Sequence, residues 1–187
     1  MERRTFWKAL VGMPVLLGLE RHTVAAPAES MKSVEELQKD WKLLLADGAK
    51  VPLPGEPLKL SKDEWKKRLA GLQYDVLREE GTERAGSSPL DREKRAGVFA
   101  CAGCDLPLFT SAMKFDSGTG WPSFFTTIPG VFGTSTDHKI FYARTEYHCI
   151  RCGGHHGHVF DDGPAPTGKR YCNNGIALKF IPKTGKA

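Results

Sequence analysis

The sequence predicts a single, mainly β domain of antiparallel strands, preceded by short helices. Three observations predict it. Helical periodicity, with apolar residues three and four apart, is confined to the chain before Leu77. After Gly97 the texture changes, and brief apolar and aromatic runs alternate with glycine and proline, as in short strands joined by tight turns. The third observation is two CxxC pairs, Cys101/Cys104 and Cys149/Cys152, each of which suits a tight turn with both sulfurs on one side.

Residues 1–28 read as an export signal rather than as part of the domain. Arg3-Arg4 precede Thr5-Phe6, an apolar stretch runs from Trp7 to Leu19 with only Lys8 interrupting it, and Val24-Ala-Ala-Pro-Ala28 offers the small residues that a signal peptidase accepts. The paired arginines followed by Phe6 and Leu10 resemble a bacterial twin-arginine signal. The stretch is short and interrupted for a bilayer span, and no later segment is apolar enough for one. The expectation is an exported protein of the bacterial periplasm, its mature chain beginning between Ala26 and Ser30 and not stably inserted in a membrane; an uncleaved leader is the alternative.

Residues 29–60 form a lead-in. Val34, Leu37, Trp41 and Leu44 stand at helical intervals and predict a helix over Ser33–Leu45, after which Pro52, Pro54 and Pro57 break the pattern. The main domain, 61–182, opens on Ser61-Lys-Asp-Glu64, a capping-box pattern ahead of Trp65, Leu69 and Leu72, with the helix ending near Gly71. Tyr74, Val76 and Leu77 suit an extended stretch or a second short helix. Val98-Phe99 leads into the first CxxC, and Ile140–Ala143, Glu146–Cys149, Val159-Phe160 and Ile176–Phe180 read as strands. Asp161–Gly168 resembles a hairpin connection, and 183–187 is a tail.

Charge excludes some functions. Four Lys/Arg against two Asp/Glu leave with residues 1–28, so +3 of the formal +5 remains on the mature chain. The basic residues are scattered, with no aromatic-interleaved stripe, which argues against nucleic-acid binding. No phosphate loop or dinucleotide fingerprint is present.

Four thiolates at this spacing can close a tetrahedron on one zinc ion per chain, through Cys101, Cys104, Cys149 and Cys152. Two disulfides, redox pairs or an iron–sulfur centre stand as alternatives. Zinc would also shield these thiols from random oxidation in an oxidising compartment. Cys172 is then left over. His155, His156 and His158 crowd ahead of it in Gly154-His-His-Gly-His158, and if Asp161–Gly168 turns the chain back, imidazoles face the thiol. Imidazolium or Arg170 would favour thiolate, and a histidine could protonate a leaving oxygen. Asn174 lies two residues beyond, placed to donate an amide hydrogen bond. Strand alternation cannot put His155 and His158 on one face, because their offset is odd; Gly157 can supply a bend. An inert core thiol with structural histidines is the bland alternative.

These residues carry a resemblance. Cys101-Ala-Gly-Cys-Asp-Leu-Pro-Leu-Phe109, Lys114-Phe-Asp-Ser-Gly-Thr-Gly-Trp-Pro-Ser-Phe124, Gly154-His-His-Gly-His-Val-Phe160 and Asp162-Gly-Pro-Ala-Pro-Thr-Gly-Lys-Arg-Tyr-Cys-Asn-Asn174 resemble the methionine-R-sulfoxide reductases of the zinc-containing type. The resemblance implies a fold of two small antiparallel sheets forming an open, barrel-like core. It implies Cys172 as the nucleophile, with His155, His158 and Asn174 around the sulfoxide oxygen, Trp121 as the wall for the substrate S-methyl group, and the four CxxC cysteines as ligands of a structural zinc. The implied substrate is methionine-R-sulfoxide in oxidised proteins or peptides, and a monomer is expected. Many members carry a resolving cysteine where this chain has Thr119, so the usual resolving cysteine is missing and regeneration falls to an external thiol or thioredoxin-like reductant. His156, where leucine is usual, and Gly175, where serine is common, are further departures without an assigned role. A non-enzymatic zinc module and a thiol peroxidase are the competing functions.

Overall fold

The structure is a computed structural model that describes residues 32–138 and 143–183. The chain divides into two units, Met1–Met31 and Lys32–Ala187, and the described residues belong to the second. The expected export signal, most of the predicted strand at Ile140–Ala143 and most of the tail therefore lie outside the described residues. No described helix is long and apolar enough to cross a membrane.

The lead-in helix forms where its periodicity predicts. α1 (Val34–Lys39) starts from a Ser33–Glu36 capping box and tightens into a 3-10 turn over Asp40–Leu44. α2 (Lys62–Arg68) starts on the expected box, with Glu64 N–H donating to Ser61 Oγ and Ser61 N–H to the Glu64 carboxylate. α3 (Gly71–Glu79) resolves the Tyr74–Leu77 ambiguity in favour of a helix, which buries Tyr74, Val76 and Leu77.

The strands follow: β1 (Gly97–Cys101), β2 (Pro107–Thr110), β3 (Lys114–Phe115), β4 (Ser123–Phe124), β5 (Phe132–Asp137), β6 (Arg144–Cys149), β7 (His155–Phe160), β8 (Arg170–Asn173) and β9 (Leu178–Pro182). Ile176 and Ala177, expected in the last strand, sit instead in a 3-10 turn, Gly175–Ala177, that precedes it. One sheet has the order β2-β1-β9 and the other β3-β4-β8-β7-β6-β5, and the observed pairings are antiparallel.

These orders correct the expected barrel-like core. A barrel needs its terminal strands to pair, but both sheets are open, and β3 and β5 lie at opposite edges of the six-stranded one. The chain leaves the first sheet at Thr110 through a 3-10 turn, Ser111–Met113, which separates β2 from β3. Strands of two residues, β3 and β4, then give too short a ladder to carry pairing around a closed circuit. Aromatic packing joins the two sheets: Phe109 stacks on Phe124 at 3.9 Å, Phe99 meets Phe124 edge-on at 5.1 Å, and Phe109 meets Phe132 at 5.2 Å.

Candidate active site and metal centre

The metal centre is built at the ends of strands. Cys101 closes β1, Cys149 closes β6, and Cys104 and Cys152 lie in the turns that follow. In those turns Asp105 N–H returns to Cys101 O at 2.8 Å and Gly153 N–H to Cys149 O at 2.8 Å. The sulfur of Cys101 lies 3.7 Å from that of Cys152, and Cys104 lies 3.5 Å from Cys149. Sulfurs held about 2.3 Å from one zinc in a tetrahedron stand about 3.8 Å apart, whereas a disulfide brings them to about 2 Å. All four thiols are free and buried, and all four sulfurs lie within 4.8 Å of one another. The donor set and spacing fit one structural zinc and exclude disulfides. Arginines cap the surrounding backbone: Arg68 donates to Gly103 O, Arg78 to Cys152 O and Arg151 to Cys104 O. Their charge favours an anionic thiolate cluster.

The second site lies on β7 and β8. The turn over 161–168 closes with Gly163 N–H donating to Gly168 O at 3.0 Å, and the two strands then pair antiparallel. His158 stands directly across from Cys172. β7 carries a bulge: Tyr147 of β6 opposes Gly157 while His148 opposes His155, which leaves His156 as the extra residue. The bulge compensates the odd offset, and the rings of His155 and His158 meet edge-on at 5.6 Å. Gly157 is required where the strands approach closely. A Cβ there would lie 2.0 Å from Cys172 O, and its φ is +153°.

A cavity of about 140 Å3 opens beside Cys172. Its volume holds roughly four or five waters' share of liquid, enough for a side-chain tip. Trp121, His158, Cys172 and Asn174 line it, together with Phe160 and Arg144. His155 does not line it. That residue is buried behind, its Nδ1–H donating to Glu146 Oε1 at 2.8 Å. Asn174 lies just past β8, and its amide is already engaged: Oδ1 accepts from Glu83 N–H at 2.9 Å and Nδ2 donates to His156 O at 3.0 Å.

Burial pushes the Cys172 thiol above its ordinary 9.0, against the nearby Arg170 charge and a Thr119 hydrogen bond. The expected net shift toward thiolate is therefore reversed at rest, because desolvation outweighs the cation. Arg170 is itself held by Asp162 through paired bonds of 2.7 and 2.8 Å and lies over the Phe160 ring. Burial lowers His158 below 6.5, opposed by its 2.7 Å bond to Asp137. Burial pushes Glu146 up, but hydrogen bonds from His155, Ser135 and His148 override it and hold the carboxyl at about 2. Glu146 thus stays an acceptor, which fixes the proton of His155 on Nδ1.

Sequence reasoning missed the carboxylates Glu146 and Asp137 behind the histidines, and it missed Glu83. Buried Glu83 accepts from Gly175 N–H at 2.5 Å and Ile176 N–H at 2.9 Å, while its carbonyl accepts from the Trp121 indole at 3.2 Å. One residue thereby holds Trp121, Asn174 and the turn that follows Asn174. Glu146, two positions from His148 and in a strand otherwise reading as core, was the available signal.

Comparison with known proteins follows the same residues. Residues 69–182 match the SelR domain family model. The chain is 54% identical over 122 residues to a chloroplastic peptide methionine sulfoxide reductase B1 of Arabidopsis thaliana, a match covering 65% of this chain and 60% of that protein. It is 53% identical over 121 residues to a peptide methionine sulfoxide reductase MsrB of Methanosarcina barkeri, covering 64% of this chain and 85% of that one. With the Agrobacterium fabrum MsrB it shares 48% over 120 residues, 64% and 89% of the two chains.

Proposed function

The chain belongs to the SelR-domain family of MsrB-type oxidoreductases, and on that premise we propose that it reduces methionine-R-sulfoxide in oxidised proteins and peptides through Cys172. The observation that carries the reading is the pairing of Cys172 with His158 across β7 and β8, at a cavity that Trp121 walls. The indole supplies a rigid apolar surface for the S-methyl group. Attack of the Cys172 thiolate on the sulfoxide sulfur requires a proton on the departing oxygen, and His158 is the acid. Asp137 holds the Nε2–H of His158 and stabilises the charged ring, leaving Nδ1–H as the proton to give. Oxygen passes to Cys172, which becomes sulfenic acid, and two electrons pass to the released methionine. His155 acts from behind, with Glu146 orienting it. Two external thiols then return Cys172 to the thiol, forming their own disulfide and water; Thr119 stands where a resolving cysteine would otherwise serve. The zinc is structural and takes no part in these steps.

Residues 1–28 direct export in the same reading, on the strength of Arg3-Arg4, the apolar stretch and the small residues after it.

The test separates the two sulfoxide epimers. Wild type should reduce the R epimer and leave the S epimer untouched, and Cys172→Ser should lose R turnover while retaining its zinc. Without reductant, one methionine should form per chain, with Cys172 trapped as a sulfenic acid adduct. Full R turnover by Cys172→Ser would remove the mechanism and leave a zinc module. A turnover-competent disulfide between Cys172 and a zinc-ligand cysteine would overturn the external-thiol step.

A further inference from the structure

His156 takes no part in the reaction above and does not line the cavity. It is fully buried, and its ring bridges the two sites. Nε2 lies 3.4 Å from Cys101 Sγ. Nδ1 faces the Asn173 amide, 3.4 Å from Nδ2 and 3.5 Å from Oδ1. Asn173 follows Cys172, and its Nδ2 also donates to the Tyr147 hydroxyl at 2.9 Å. The backbone binds the same strands together: His156 O accepts Asn174 N–H at 2.8 Å.

The proton inventory of this chain of contacts admits one assignment. A metal-bound cysteine sulfur is a thiolate and carries no hydrogen, so it can only accept. The ring proton must then be on Nε2, and Nδ1 must accept. Asn173 Nδ2 has two hydrogens, one for Nδ1 and one for Tyr147, so both are used. The opposite tautomer would set the Nε2 lone pair against an anionic sulfur.

We infer that His156 is a positioning residue for the metal centre, whose Nε2–H donates to the Cys101 thiolate and ties the zinc ligands to the strand that carries the catalytic cysteine. An N–H donor draws charge off a ligand sulfur and fixes its orientation. Zinc should consequently leave more slowly, and electrophiles should attack Cys101 more slowly. Outer-shell partners of this kind change metal affinity by about 10–100-fold.

The test begins on zinc-loaded, 15N-labelled wild type, with zinc content measured first so that failure of the metal assignment is seen separately. The nitrogen shifts of His156 should show a neutral ring protonated at Nε2; a proton on Nδ1 would overturn the inference, whatever any variant does. His156→Leu removes the donor, and His156→Gln retains a side-chain N–H. Transfer of zinc to a chromogenic chelator should be at least about 10-fold faster from His156→Leu, with His156→Gln much closer to wild type. In cobalt-substituted protein the sulfur-to-metal charge-transfer band should shift in the leucine variant and return toward wild type in the glutamine variant. Equal zinc release from wild type and His156→Leu, or from both variants alike, would overturn it.

Discussion

Cys172 and His158 face each other across two strands, and burial shifts them in opposite directions: the thiol above 9.0, the imidazole below 6.5. Desolvation disfavours whichever form is charged, so each group rests neutral. The combination that the proposed reaction requires, thiolate with imidazolium, is then the minority form at every pH. Between the two pKa values the thiolate fraction rises tenfold per pH unit and the imidazolium fraction falls tenfold. Their product is flat. The single-turnover kcat/KM should therefore form a plateau that falls on the acid side only below pH 6.5 and on the alkaline side only above pH 9. His158→Ala should lower the rate at neutral pH by about 100-fold or more, replace the plateau with a rise that follows the thiolate fraction, and abolish the alkaline limb. Stopped-flow turnover of an R-sulfoxide peptide from pH 5 to 10 checks both; a maximum sharply centred near pH 7 would show that the groups are not arranged as described. At this scale the sequence was informative. The histidine cluster, Trp121 and Cys172 could be read as chemistry, and His158, Trp121, Asn174 and Cys172 do line one cavity. The direction of the Cys172 shift could not be read, because desolvation depends on what folds over the thiol.

The elements work by small departures from regularity. A regular β7 would place His155 and His158 on opposite faces; the bulge at His156 removes that conflict. The sequence exposes the problem as an odd offset and offers Gly157 as a bend, but the bulge falls on His156 and is fixed by the register with β6, which no local pattern contains. Gly157→Ala tests the arrangement. Its Cβ would press on Cys172 O at 2.0 Å with no flexible side chain to yield, so the strands must part. The variant should lose about 1–3 kcal/mol of stability and most of its turnover, while keeping zinc; denaturant unfolding with a metal assay decides it. The segment around Glu83 was silent in the sequence for a related reason: each of its four contacts uses a backbone group on one side. Glu83→Gln leaves one oxygen for the two N–H groups of Gly175 and Ile176 and sets an amide donor against one of them, at a cost of about 1–3 kcal/mol. Because the carboxylate anchors to Gly175 and Ile176 the same residue whose main chain holds Trp121 and Asn174, KM should rise and Trp121 fluorescence change, while alkylation of Cys172 keeps its wild-type rate. A fall in kcat at unchanged KM would assign Glu83 a different role. Gly175 fits the same corner, where a Cβ would lie 2.1 Å from Ser88 Oγ.

On the scale of the whole described domain, the Ser61–Glu64 capping box, α1, α2 and the cores of β6, β7 and β9 were legible, because each follows from local pattern: Ser61 with Glu64, or the apolar pair Val159-Phe160. The closure of the sheets was not, since open edges are decided by which strands find partners far along the chain. Two open sheets need another means of staying together, and the metal centre supplies one. Cys101 belongs to the three-stranded sheet and Cys149 to the six-stranded one, with Cys104 and Cys152 in the turns beyond them. One ion bonded to all four joins the sheets where no backbone ladder does. The four cysteines also lie within the same buried cluster as Phe99, Phe109 and Tyr147, so metal loss leaves four thiols inside the core. Structural zinc contributes about 10–16 kcal/mol in small fingers that have no other core. This domain has its aromatic interior, so a smaller share of its stability is at stake. A loss of about 5 kcal/mol, at about 2–4 °C per kcal/mol for a domain near this size, lowers Tm by roughly 10–20 °C. Chelated wild type and Cys149→Ser should both show that fall, whereas Cys172→Ser, with its zinc intact, should melt within a few degrees of wild type. Scanning calorimetry with parallel zinc analysis measures it. An unchanged Tm in fully metal-free protein would mean that the aromatic packing of Phe109 on Phe124 holds the two sheets together without the ion.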